Sequence, residues 1–105
     1  MNDAILNVGL ELAMEFGENW LEPIQSRLAE RHPELSPVEL NACNDTCQAA
    51  MKFGHREVAS ALVKTRADHE KAFELFRQAV RTRYSWIDEQ NLSHLFSQGC
   101  YYAMK

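Results

Sequence analysis

Apolar residues return every three or four positions along almost the whole of this chain, and that period predicts α-helices separated by short breaks. The first run, residues 3–16, is capped by Asn2 or Asp3 and stops at Gly17, which suits the left-handed position beyond a helix end. Its polar residues Asn7, Glu11, Glu15 and Glu18 form one narrow stripe, while Ile5, Leu6, Val8, Leu10, Leu12, Ala13, Met14 and Phe16 cover the rest. A helix packed on one side of a domain needs an apolar arc of about 100° or somewhat more. The surplus here means that the helix is either central in the bundle or shared with another chain. Ile5, Leu6, Leu10 and Met14 are the candidate interface, and a homodimer joined through this helix is the simplest assembly.

Five more helical segments follow. The second, 20–32, opens with Asn19 and Glu22 at capping-box spacing or with Pro23 at its first position, and ends at His32-Pro33. Ser36-Pro37-Val38-Glu39 then combines an N-cap serine, a proline at N1 and a glutamate at N3, which predicts a third helix running to Phe53. Gly54 breaks or bends the chain, and 56–67 forms the fourth around Val58, Leu62 and Val63. The alternative is one helix continuing through the glycine at a cost of ~1 kcal/mol relative to alanine. Asp68 caps the fifth, 69–83, with Ala72, Phe73, Phe76, Ala79 and Val80 inward. Ser85 or Asp88 begins the sixth, which extends to Met104.

The pattern also repeats over a longer distance. A shift of 52 places Leu21, Ile24, Leu28, His32, Leu35 and Leu40 on Phe73, Phe76, Val80, Tyr84, Ile87 and Leu92, and a shift one residue longer places Cys47 on Cys100. Matching apolar positions and matching start signals predict two weak copies of one unit, 1–52 and 53–105. The expected fold is therefore all-α: one domain, a compact bundle of about six short helices arranged as two pseudo-symmetric repeats.

Composition narrows the class. A chain of 105 residues makes one domain that buries roughly 60–70% of the surface of its unfolded form. Met1-Asn2-Asp3-Ala4 has no basic start ahead of an apolar run, and no stretch approaches the ~18 unbroken apolar residues of a membrane span. Three cysteines, an odd number, suit a reducing compartment. A soluble cytoplasmic protein without a membrane partner is expected. The net charge of −4 is unevenly placed: residues 1–52 carry nine acids against the bases Arg27, Arg31 and Lys52, whereas 53–105 carry more bases than acids. Such polarity can orient a self-associating pair or recruit a charged partner.

Residues that could carry chemistry are few. Cys43 and Cys47 stand one helical turn apart and could place two thiolates on a metal, with His55 or Cys100 adding ligands. They lie in the apolar row of Leu40 and Ala50, however, so core packing is expected, with no metal and no cofactor. None of His32, His55, His69 and His94 stands at catalytic spacing from a serine, cysteine or carboxylate. Trp20, His55, Trp86, His94, Tyr101 and Tyr102 are the candidate pocket or patch residues: a pocket between the repeats would be lined by Trp20, Phe53, Trp86, Tyr101 or Tyr102, and His94 with Tyr101 could form a polar patch beside Trp86. Ala49, Ala50, Gly54, Val58 and Val63 loosely follow a helix-turn-helix pattern, but His55 and Ser60 stand where that motif wants apolar residues, and the acidic total opposes phosphate binding. Phosphate-loop, calcium-loop, HExxH and GxSxG motifs are missing. The expected function is a non-catalytic module acting through protein contacts or self-association. The alternatives are a small-molecule binder or minor enzyme using the pocket between the repeats and, third, a nucleic-acid binder.

Overall fold

Asn2 Oδ1 accepts a hydrogen bond from the Ile5 amide at 2.8 Å and so starts helix α1, Asp3–Ala13, in the computed structural model, which describes residues 1–104. A short 3-10 turn at Gly17–Asn19 follows, then α2 (Gln25–Arg31), α3 (Pro37–Lys64), α4 (His69–Arg83) and α5 (Glu89–Ala103). The described residues contain no strand. They divide into two compact units, Met1–Met51 and Lys52 onward.

In the first unit α1 packs on α2, and Gly9 of α1 lies against α3. A Cβ at Gly9 would meet Cys43 Sγ at 2.7 Å and Cys47 Sγ at 2.8 Å, so only glycine admits both thiols. With neighbours on two sides, α1 buries Leu10, Leu12, Ala13 and Met14 together. This accounts for much of its apolar surplus and corrects the expected interface. Leu10 and Met14 are core residues with no exposed surface, and only Ile5 and Leu6 of the expected set remain half-exposed.

Two helix boundaries also differ from expectation. The first helix ends at Ala13, before Gly17: the Met14 amide makes the last helical bond, to Leu10 O, and the Glu15 amide tightens to a bond three residues back, on Leu12 O. Gly17 does adopt a positive φ, 92°, but it opens the 3-10 turn. The second helix begins only at Gln25. Leu21 sits in the left-handed region at φ 68°, which interrupts the segment expected to be helical, and the Ile24 amide donates to Asn44 Oδ1 of α3 at 3.1 Å. In place of the expected first turn, the Glu22 amide closes a turn on Asn19 O at 3.0 Å.

The start of α3 follows the sequence. Ser36 Oγ accepts from the Glu39 amide at 3.2 Å, and Glu39 Oε1 accepts from the Ser36 amide at 2.9 Å, a closed capping box. The helix then continues without a break through Gly54 to Lys64, so the expected third and fourth helices are one, and the described residues form five α-helices. A Cβ at Gly54 would lie 2.4 Å from Leu95 Cδ2. The glycine is there to let α5 come close, and the backbone stays helical.

In the second unit α4 packs on α5 around Val58, Phe76, Val80, Ile87, Leu92 and Leu95, all buried. Val63, expected inward, is 80% exposed. Arg66 and Ala67 turn the chain at φ 54° and 64°, and Asp68 Oδ1 then caps α4 by accepting from the Lys71 amide. Asp88, the second of the two starts expected for the last helix, caps α5 through the Asn91 amide at 2.8 Å.

The turns that precede the last helix of each unit share their bonds. The His32 amide donates to Leu28 O and the Leu35 amide to His32 O; the Tyr84 amide donates to Val80 O and the Ile87 amide to Tyr84 O. Each pair lies 52 positions from its counterpart.

Candidate functional site

The segment 14–24 is the longest non-helical connection among the described residues apart from its short 3-10 turn, and one side chain holds it. From the first turns of α2, Arg27 donates through Nη1 to Leu12 O at 2.9 Å and to Glu15 Oε2 at 3.3 Å, and through Nη2 to Glu22 O at 3.3 Å and Pro23 O at 3.4 Å. The planar guanidinium thus ties the end of α1 to the chain entering α2, a task that needs several donors in fixed geometry. Between the tied points Phe16 is 54% exposed and Leu21 is 62% exposed, and the Trp20 ring, half-buried, lies 5.1 Å from that of Phe16. Glu18 and Glu22 are both exposed on the same segment. Arg27 and Arg31 are the only bases of Met1–Met51, which holds nine acids.

Arg27 was missed from sequence. The one signal was that it is the first basic residue of the chain, behind five acids; its acceptors are mostly backbone carbonyls, which no side-chain pattern reveals.

The candidate patch residues fall into separate groups. Trp20 belongs to the first unit. In the second, His55 Nε2 donates to Gln98 Oε1 at 2.8 Å, the His55 ring stands 5.3 Å from that of Tyr102, and Tyr101 lies beside Tyr102. Burial lowers the His55 pKa, with the bond to Gln98 opposing it in part. Trp86 contacts Tyr84, whose ring meets Phe53, and the Arg83 guanidinium lies 4.9 Å over the Phe53 ring. His94 is exposed on α5. A cavity of about 270 Å³ is lined by Met1, Leu6, Ala42, Cys43 and Thr46, and an open groove of about 500 Å³ by Glu74, Arg77, Gln78, Arg81 and Thr82. Neither is lined by a candidate patch residue.

Cys43 and Cys47 are free, fully buried and 3.8 Å apart at sulfur, and the Cys47 thiol donates to Leu6 O at 3.3 Å. The bond to Cys43 and burial push the Cys47 thiol far above its ordinary pKa, the opposite of what a thiolate ligand needs, while the same bond lowers the pKa of Cys43 against its burial. Among the described residues no three His, Cys, Asp or Glu side chains converge so as to hold a metal ion.

Among the bases of the second unit, on which nucleic-acid binding would depend, Arg77 is paired with Glu89, whose carboxyl it holds below the usual range, and Arg81 lies 3.8 Å from the same carboxylate. Arg83 is engaged with Phe53 and Tyr84. No helix among the described residues is long and apolar enough to cross a membrane. No family model, curated protein or solved structure matches this chain.

Proposed function

We propose that this chain is a non-catalytic protein-interaction module whose contact surface is the segment 14–24. The supporting observation is the combination at Phe16, Trp20 and Leu21: large apolar side chains, two of them more than half exposed, on a connection tied at both ends by Arg27. Apolar residues scattered singly on a surface need no explanation, but adjacent ones on an ordered loop are what binding surfaces use. Order before binding reduces the entropy lost on association.

The same reading treats the chain as one domain built by duplication of a three-helix unit, acting in the reducing cytoplasm that its free thiols suit. Self-association through Ile5 and Leu6 is the second form of the proposal, favoured by their half-exposure on α1. Sedimentation at micromolar concentration separates the two. A dimer dissolved by Leu6→Glu favours α1, and a monomer of 12.1 kDa favours a different partner. Proximity labelling in the source cell then tests the loop: a neighbour tagged by the wild type and lost with Phe16→Ser/Leu21→Ser supports the module, and identical tagging by both overturns it.

A further inference from the structure

We infer that segment 14–24 docks a basic segment carrying an aromatic or aliphatic anchor, supplied by a different protein; this deepens the interaction reading above and rests on it. Charge selects the partner. Glu18 stands between Phe16 and Trp20 in the chain, Glu22 follows Leu21, and both are exposed. Arg27, the base that reaches this segment, is already committed to Glu15 and to the Leu12, Glu22 and Pro23 carbonyls. The surface therefore offers apolar area with a negative border. Lysines or arginines of the incoming segment complement that border.

A second copy of this chain fits less well. Pairing of the loop with itself across a twofold axis would bring two copies of the Glu18 and Glu22 border into one interface with no base to meet them, and like charges brought together oppose association. Backbone conformation supplies an independent observation. Leu21 holds φ 68°, a region costly for a branched side chain, yet it is 62% exposed and gains little burial there. Strain of this kind persists where the surroundings enforce it and is concentrated at binding sites. Leu21 is the third residue of a turn that the Glu22 amide closes on Asn19 O at 3.0 Å, which sets its positive φ, and the Arg27 bonds to Glu22 O and Pro23 O hold the chain immediately after it.

The test is a random linear peptide library displayed on phage and selected against the full chain, with hits synthesised and titrated. Selected peptides are expected to carry net positive charge and at least one large apolar residue, and to bind more weakly as salt rises. Leu21→Gly removes the anchor contact while relieving the positive φ, so the affinity should fall at least about tenfold while the melting temperature does not drop. Glu18→Gln/Glu22→Gln should weaken binding and flatten its salt dependence. Neutral or acidic selected peptides, no enrichment at all, or unchanged affinity in Leu21→Gly would each overturn the inference. If amide chemical shifts place the bound peptide away from 14–24, this site fails while an interaction function elsewhere survives. A dimer dissolved by Leu21→Gly would mean that the occupant is a second copy.

Discussion

His32 and Tyr84 end α2 and α4 with the same backbone conformation, φ −133° and ψ 71° at the first and φ −129° and ψ 71° at the second. Each donates its amide to the carbonyl four residues back, and each is followed by an acidic or hydroxyl N-cap four residues on, Ser36 or Asp88. If the two turns descend from one unit, their aromatic closers should be exchangeable. We expect His32→Tyr and Tyr84→His each to cost less than about 1 kcal/mol, against a larger loss for alanine at either position, measured by urea unfolding. Greater cost for exchange than for truncation would argue against the duplication.

Gly54→Ala should destabilise the fold by about 1–3 kcal/mol although alanine is the better helix former, because its methyl would lie 2.4 Å from Leu95 Cδ2. In a Leu95→Ala background the clash is gone. There the same substitution should become neutral or stabilising by up to about 1 kcal/mol through helix propensity alone. A double-mutant cycle with no coupling would show that α5 does not approach α3 at this glycine.

The buried thiols make a graded prediction. Cys→Ala at 43 or 47 should be mild, since each thiol acts as a small apolar filler. Serine at 43 should cost more, about 1–3 kcal/mol for a buried hydroxyl lacking a good partner. Serine at 47 should be the milder of the two, because a hydroxyl there can still donate to Leu6 O, where the thiol now does at 3.3 Å. Stoichiometric zinc by elemental analysis, lost in either serine variant, would refute the packing role.

Burial holds the His55 pKa below its ordinary 6.5. The unfolded chain then takes up a proton at higher pH than the folded one, so stability from this site is complete above pH 6.5 and is lost as pH falls from there toward the lowered folded value. Chemical unfolding from pH 8 to pH 5 should show that decline in the wild type and a flatter profile in His55→Phe, which keeps a ring beside Tyr102. Equal slopes would mean that His55 is free to charge in place.

Arg27→Lys keeps the charge but cannot reach four acceptors with planar geometry. We expect a loss of about 1–2 kcal/mol, together with faster amide hydrogen exchange and altered Trp20 fluorescence confined to 14–24. Unchanged exchange in that segment would show that Arg27 does not hold it.

Local signals were legible from the sequence. The Ser36–Glu39 capping box, the Asp68 cap and the 69–83 helix each depend on residues within one or two turns, where hydrogen-bonding geometry and the helical period act alone. Tertiary structure decided whatever depends on a partner distant in sequence. Asn44 took the Ile24 amide at the entry to α2, Leu95 turned Gly54 from a break into a contact point, and packing around α1 buried Leu10 and Met14 in the core. The candidate site belongs to that second class. Trp20 could be chosen for its chemistry, but the surface around it exists because Arg27 bonds carbonyls on both sides of a non-helical segment, and backbone carbonyls are the same at every position until the fold sets which ones stand together.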